Sequence, residues 1–378
     1  MTTIQNQRYL QKIYRTAIAR KNQRYKKKIK QKVVHEAEHY KKKFKDVSRK
    51  IHCGIEYEEG KDIIPISEEF GLEKNECQAA FFDIAKKCLN SRKVGLEIDF
   101  QDAEKIWPSA ITFLCSLKQW VEMDNKFNST KKHIYSTNSN NEKINAYLYK
   151  CGFYDYVRQV GDVGQSTSRD DDILKIRREL DRASVEERED QIMVLLKQYS
   201  DLSEDQLELF NSIVLTETFL NVTEHGIVNE DEGWWVLAQV HKKHKFISLY
   251  IADNGIGFVH TLINGPQCKD IKKLSYEKKE GKLIRYAFTE NVSGAWDALR
   301  ETRKRKSNRG ARRGNGLKRI KETCEKLEID FSIVSHKGYY HIDNNGKEFE
   351  PKSFNDIVFG GTMYCFLIPT DRRPKWTV

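Results

Sequence analysis

Residues 216–226 read TETFLNVTEHG, and residues 246–258 read FISLYIADNGIGF. In the first stretch Glu217 and Asn221 are four residues apart, so they lie on one face of a helix. The second stretch is rich in β-branched and aromatic residues, which predicts a strand that ends at Asp253. The sequence therefore predicts a helix that carries an acid and an amide, and a strand whose end presents a second acid.

Glycines follow this strand end and recur twice further along the chain. Gly255 and Gly257 come directly after Asp253, in a turn where glycine can adopt positive φ. The sequence GNGL over residues 314–317 opens a helical pattern, and GGT over residues 360–362 opens the last apolar strand. A helix that begins in glycine offers backbone amides to a phosphate.

In this order and spacing the motifs resemble those of the GHKL superfamily of ATP-binding domains, which includes gyrase, histidine kinases and MutL-type repair proteins. Four ordered motifs are more specific than any single pattern. The resemblance covers residues 201–370. The matching positions are Glu217 and Asn221 for the N box, Asp253, Gly255 and Gly257 for the G1 box, Gly314 and Gly316 for the G2 box, and Gly361 and Thr362 for the late Gly-Thr element.

The resemblance implies an α/β fold, a two-layer α/β sandwich of the Bergerat type, that binds ATP and Mg²⁺. It implies that Glu217 is the catalytic base, that Asn221 ligates the metal and that Asp253 accepts a hydrogen bond from adenine. It makes the remaining matched residues nucleotide-binding, namely Gly255, Gly257, Gly314, Gly316 and Thr362. The chemistry suits these roles, because a carboxylate accepts a proton and Mg²⁺ prefers oxygen ligands.

Two features next to these motifs leave alternatives open. Glu224 and His225 resemble the anti-sigma-factor serine kinases more than histidine kinases, and His225 fits either a phosphate contact or a helix cap. The segment from Phe258 to Gly314 is a long, cation-rich insertion at the position of the family's ATP lid. Its basic run over residues 300–313 suits phosphate, or alternatively nucleic acid.

The region from residue 51 to residue 160 has a different pattern. It predicts an amphipathic helix over residues 78–89, a strand over 94–100, a helix that opens near Pro108, a strand over 132–136 and a helix over 141–152. This order is similar to STAS domains, in which a serine at the start of the helix after the central strand is phosphorylated. Ser109 lies near that place, although the usual Asp-Ser-Ser/Thr-Gly signature is absent. Ser109 fits either a phosphoacceptor or an N-terminal cap.

The charge of the chain is concentrated at its amino end. Residues 1–50 contain 17 Lys or Arg and three acids, a net charge of +14, whereas the whole chain carries +11. We predict a basic helical arm that contacts nucleic acid or packs on a partner subunit. Within it, residues 35–39 match His-Glu-x-x-His, but the cationic flanks and the lack of a third ligand argue against zinc.

The chain is predicted to divide into four parts: the basic arm over residues 1–50, the STAS-like domain over 51–160, a linker and charged connecting helix over 161–200, and the ATP-binding domain over 201–370. Its eight cysteines include no Cys-x-x-Cys pair, and no run of about eighteen apolar residues occurs. These features predict buried thiols, no membrane segment and a cytoplasmic protein.

Three functions follow as expectations. The preferred one is a Mg²⁺-dependent ATPase that acts as a nucleotide-gated switch in bacterial signalling or phage defence, as a homodimer or with a protein partner at the STAS-like domain. The alternatives are a serine/threonine kinase that phosphorylates a STAS domain, and a non-hydrolysing, ATP-bound scaffold that binds nucleic acid through the arm. Glu217 favours an enzyme, since a pure switch needs no base.

Overall fold

A computed structural model shows a mixed α/β protein with two connected units. It describes residues 46, 49–52, 55–157, 172–180, 183–223, 233–264, 279–289 and 316–370. The α/β class predicted from the sequence is confirmed. The basic arm up to residue 45, most of the linker, Glu224, His225, Gly314 and the basic run over 300–313 lie outside the described residues.

The amino-terminal unit alternates short strands and helices. Its elements are β1 (Glu58–Pro65), β2 (Glu69–Phe70), a 3-10 helix (Asn75–Cys77), α1 (Gln78–Asn90), β3 (Lys93–Asp99), β4 (Lys105–Ile106), α2 (Pro108–Phe127), β5 (His133–Ser136), α3 (Glu142–Lys150) and a 3-10 helix (Phe153–Asp155). The strands β1, β3 and β5 form a parallel sheet in that order, and β2 pairs with β4.

Local sequence signals account for these boundaries. Pro108 occupies the first turn of α2, where its missing N–H costs no helical hydrogen bond. Asn141 caps α3 by accepting a hydrogen bond from the Lys143 N–H. Gly152 follows α3 with a φ of 84°, the left-handed conformation that favours glycine after a helix. The three helices and two strands predicted between residues 78 and 152 are confirmed.

The carboxy-terminal unit is built on a seven-stranded sheet. Its elements are β6 (Ile173–Glu179), α4 (Ala183–Tyr199), α5 (Glu204–Leu209), a π-helical segment (Phe210–Leu215), α6 (Thr216–Asn221), β7 (Trp234–His241), β8 (Phe246–Asp253), α7 (Phe258–Asn264), α8 (Glu280–Thr289), α9 (Gly316–Lys326), β9 (Asp330–His336), β10 (Gly338–Ile342), β11 (Lys352–Ser353) and β12 (Phe359–Pro369). The strand order is β11-β10-β9-β12-β8-β7-β6.

The prediction of a charged helix from Ile173 to Gln198 is wrong over its first part. Residues Ile173–Glu179 form an edge strand that pairs antiparallel with β7, and the helix begins only at Ala183. Main-chain pairing with a strand more than 50 residues away overrides the local helical pattern. The segment after the linker therefore adds a strand to the seven-stranded sheet.

Side chains alternate along the seven-stranded sheet and fill two cores. Trp234, Ile251 and Tyr364 face the layer of helices α4–α9. Trp235 and Tyr250 face the opposite side and share a core with the amino-terminal unit. The sheet is thus covered on both faces, by its own helices on one and by the amino-terminal unit on the other.

Cysteines pack as small hydrophobic residues in both units. Five described cysteines are buried and Cys77 is half-buried, and all six are free thiols. The five buried residues are Cys88, Cys115, Cys151, Cys324 and Cys365. The prediction of buried thiols is confirmed for these residues.

Candidate functional site

Glu217 and the amino-terminal end of α9 meet on the helical side of the sheet. The helix that carries Glu217 starts at a capping box between Ser203 and Gln206. A Cβ built on Gly316 would lie 2.5 Å from Oε2 of Glu217, so only glycine fits here without displacing the carboxylate. The structure therefore brings the predicted base to the predicted glycine helix.

Arg319 holds the same carboxylate. Its Nη1 donates to Oε1 of Glu217 at 2.9 Å, and the two side chains are 40% and 23% exposed. The pair is therefore reachable from solvent. Sequence reasoning missed Arg319, although its position one turn into the glycine-started helix is a usable signal.

Asn221 lies on the same helix as Glu217, one turn further along. Its Nδ2 is buried and makes no hydrogen bond to the described residues. Burial and then the Asp253 charge raise the pKa of the Tyr364 hydroxyl, whereas the Asn221 side chain lowers it. A bound ligand would explain a buried amide that lacks a full set of hydrogen-bond partners.

A π-helical segment precedes these two residues. It spans Phe210–Leu215 and interrupts the helix directly before Glu217. Such segments occur frequently at functional sites, since the extra residue re-aims the side chains that follow.

Asp253 and Thr362 are direct neighbours on adjacent strands. The end of β8 pairs Asp253 with Thr362 of β12, and Asp253 is buried. Its Oδ1 accepts the N–H of Gly255 at 2.9 Å, and Ser335 lies 3.1 Å from the Thr362 hydroxyl. The structure thus places two predicted binding residues, Asp253 and Thr362, side by side with Gly255.

Glycine is required at two positions around Asp253. Gly257 has a φ of 76°, and a Cβ there would lie 2.9 Å from Cδ2 of His336. A Cβ on Gly361 would overlap the backbone carbonyl of Asp253. The predicted glycines therefore let β12 and the turn after β8 approach each other closely.

Two histidines pack beneath this turn, and no motif in the sequence indicates them. The rings of His260 and His336 lie 4.6 Å apart at 79°. Burial lowers the pKa of both, and for His336 the neighbours His260, Lys337 and His52 lower it further. Both imidazoles are therefore neutral near pH 7, and Nε2 of His336 has no partner among the described residues.

Part of the insertion expected to form a mobile lid is packed. Residues Glu280–Thr289 form α8, which lies against β10, and its Leu283, Ile284 and Phe288 are fully buried. The interpretation of this segment as a lid stays a prediction, and α8 packs within it because its apolar residues at helical spacing bury one face.

Ser109 is neither exposed nor a helix cap. It is fully buried, its hydroxyl donates to Glu73 at 2.6 Å, and the same oxygen accepts the Leu72 N–H at 2.8 Å. Trp107 occupies the cap position of α2, and Glu73 accepts the Ser109 N–H at 3.0 Å. The capping interpretation of Ser109 is therefore wrong, since a carboxylate from another loop caps the helix. The phosphoacceptor interpretation stays a prediction, for a hydroxyl that is buried in this structure.

Comparisons with known protein families, curated proteins and solved structures give no match for this chain. Among the described residues, none of the helices combines the length and apolar character needed to cross a membrane. The same residues contain no group of three or more His, Cys, Asp or Glu side chains arranged to hold a metal ion. An ion held mainly by phosphates and one amide oxygen would need no such cluster.

Proposed function

We propose that this chain binds ATP with Mg²⁺ through a GHKL-type domain over residues 201–370 and hydrolyses it slowly as a nucleotide-gated switch. The observation that carries the proposal is the contact of the Glu217 carboxylate with Gly316 at the start of α9. A general base thereby stands beside a glycine-started helix, where backbone amides favour phosphate.

The architecture supports this assignment. Five central strands of the sheet, β10-β9-β12-β8-β7, are antiparallel neighbours, and helices cover one of their faces. This agrees with the α/β sandwich that the motifs imply. All the matched residues that the structure describes lie on this helical side or at the adjoining turn after β8.

The residues fit a nucleotide with its metal. Asp253 and the hydroxyl of Thr362 provide an acceptor and a donor side by side, which suits the edge of adenine. The unpartnered atom of the Asn221 amide is Nδ2, a donor that suits a phosphate oxygen, and its Oδ1 would supply a neutral oxygen to Mg²⁺. The bound ion would neutralise phosphate charge, and the side chains of this chain would bind the nucleotide and accept the proton.

Glu217 is assigned the proton transfer. Its carboxylate would accept a proton from the attacking water while Arg319, now paired with it, is available to an incoming phosphate. A base positioned in this way contributes about 10²–10⁴-fold to a rate. The lower half of that range suits a switch, in which slow turnover sets the lifetime of the bound state.

The amino-terminal unit is assigned a STAS-like, regulatory role. Its parallel sheet β1-β3-β5 and its helix after the central strand agree with that resemblance. Burial of Ser109 argues against its phosphorylation in cis, so we place the serine/threonine kinase second to the ATPase. Cytoplasmic location, homodimer formation, nucleic-acid binding by the arm and a pathway in bacterial signalling or defence stay predictions.

Nucleotide binding is the first test. We expect calorimetry with Mg²⁺ and ATP to detect binding by the wild type and a loss of at least about tenfold in Asp253→Ala, since a hydrogen bond to a charged group is removed. Asp356→Ala, at an exposed turn, is the matched control and should bind like the wild type. Equal binding by both variants would overturn the site.

Turnover is the second test, with γ-labelled ATP followed into free phosphate and into protein. Glu217→Gln should bind ATP normally and lose about 10²-fold or more of phosphate release, whereas Glu208→Gln, exposed on the same helix, should keep it. Acid-stable label on a protein, instead of free phosphate, would favour the kinase. Unchanged turnover in Glu217→Gln would remove Glu217 from the reaction.

A further inference from the structure

One helix of the amino-terminal unit covers the sheet behind the candidate nucleotide site. α2 packs against β7, β8 and β12, the three strands that surround Asp253. Most of α2 is buried between this sheet and the rest of its own unit. The two units therefore share one continuous core, in which α2 is the common element.

The contact between the two units includes buried polar groups that form hydrogen bonds with one another. Asn254 is fully buried, and its Oδ1 accepts the Ser116 hydroxyl at 2.5 Å. Its Nδ2 donates to the Ser116 carbonyl at 2.7 Å and to Oε1 of Gln119 at 3.2 Å. The same Gln119 oxygen accepts the indole N–H of Trp235 at 3.1 Å. The partners of the Asn254 amide, Ser116 and Gln119, therefore lie on α2.

Asn254 follows Asp253 directly, and the two side chains lie on opposite sides of the sheet. Asp253 lies on the nucleotide side of the sheet next to Thr362. Asn254 is fixed on the other side by Ser116 and Gln119. A shift of α2 would leave a buried amide without partners, which is costly, so the turn that starts at Asp253 must follow the helix.

A second contact couples the same helix to the neighbouring strand. A Cβ on Gly360 would overlap the ring of Trp120 on α2, so the indole lies directly on the backbone of β12. The next residue, Gly361, approaches Asp253 equally closely on the other side. The strand pairing is irregular between Phe359 and Thr362, as at a β-bulge. α2 thus contacts both strands that present Asp253 and Thr362.

We propose that Ser116 and Gln119 are positioning residues that hold the turn over residues 253–257 in its nucleotide-binding conformation. The proposal rests on the proposed function, because it assigns a regulation to the same site. Anything that moves α2, such as a partner bound to the amino-terminal unit, then changes ATP affinity. By linkage ATP changes the affinity of that partner by the same factor.

The test compares Ser116→Ala with Thr112→Val. Thr112 is an equally buried hydroxyl on α2 that, within the described part of the chain, bonds only to the Pro108 carbonyl of its own helix. We expect Ser116→Ala to raise the Kd for ATP by about tenfold and Thr112→Val to leave it unchanged, since only the first removes a bond to the turn. A double-mutant cycle of Ser116→Ala with Asn254→Ala should be strongly non-additive.

A second readout needs no nucleotide. Hydrogen exchange of the amides of residues 255–257 should be faster in Ser116→Ala than in Thr112→Val, because the turn loses its anchor. Equal exchange and equal Kd in the two variants would overturn the proposal even if Asp253→Ala abolished binding. Failure of the proposed function would give a different result, namely equal ATP binding by Asp253→Ala and by the wild type.

Discussion

Arg319 donates to Glu217 across 2.9 Å, from the helix that Gly316 opens to the helix that carries the candidate base. Both side chains are partly exposed, and ion pairs of this kind contribute only about 0–1 kcal/mol to stability. The pair also occupies the carboxylate that would have to accept a proton. Stability alone therefore does not account for the pair. Under the proposed function, the Arg319 guanidinium would leave Glu217 and pair with an incoming phosphate.

Arg319→Ala should separate ATP from ADP. We expect the variant to bind ADP like the wild type and ATP about tenfold more weakly, because only the terminal phosphate would recruit the guanidinium. Lys318→Ala removes a neighbouring cation that pairs with Glu322 on the same helix and is the matched control. Calorimetry of both variants with ATP and with ADP measures these affinities. An equal loss for ATP and ADP would contradict the role.

Gly361→Ala should abolish binding by forcing two strands apart. Its Cβ would overlap the Asp253 carbonyl, a backbone atom that cannot rotate away. Overpacking of this kind costs about 1–3 kcal/mol of stability and displaces Asp253 from Thr362. In Gly95→Ala the Cβ would meet Cβ and Cγ of Lys61 at 3.2 Å and the Gly60 carbonyl at 3.3 Å, a milder approach that provides a control. Thermal melts and ATP titrations of both variants measure the two effects, and normal ATP affinity in Gly361→Ala would contradict the close approach.

Local signals were sufficient to predict most of the elements. The capping box at Ser203, Pro108 at the start of α2 and Gly152 after α3 each act within a few residues, so the sequence reveals them. Glu217 and Asn221 could be paired because helical spacing is fixed. The order of the glycine motifs then indicated which distant segments should meet.

Long-range contacts were not predictable in this way. The local pattern of β6 predicts a helix, whereas its observed pairing with β7 depends on residues far along the chain. The covering of the sheet by α2 depends on buried polar groups such as Ser116 and Gln119, which look like ordinary polar residues in the sequence. The prediction that Ser109 caps α2 is wrong for the same reason, since its partner Glu73 comes from another loop.

His336 makes the stability of the site depend on pH. Its folded-state pKa lies well below the usual 6.5, so the folded protein binds fewer protons than the unfolded chain. The contribution is complete above pH 6.5 and is lost as the pH falls through the lowered pKa. His336→Asn removes this titration, and Asn tolerates the φ of 50° found here.

We therefore expect the melting temperature of the wild type to fall more steeply than that of His336→Asn between about pH 7.5 and about pH 5. His133→Asn, which alters an exposed histidine, should follow the wild type. Parallel pH curves for the wild type and His336→Asn would contradict the assignment of a neutral, buried imidazole.

Ser109→Asp should unfold the junction between the two units. The new carboxylate would be buried next to Glu73, a group whose pKa burial already raises, and two close buried carboxylates repel each other. Ser109→Ala should cost less, about 1–3 kcal/mol of stability, because it removes only the hydroxyl that donates to Glu73 and accepts from the Leu72 N–H. Ser212→Asp places the same charge on an exposed position and should change the stability little.

Denaturant unfolding measures the free energy of unfolding of the three variants and so their order of stability. A stable, ATP-binding Ser109→Asp protein would show that the buried cluster tolerates a negative charge, and would reopen Ser109 as a phosphoacceptor.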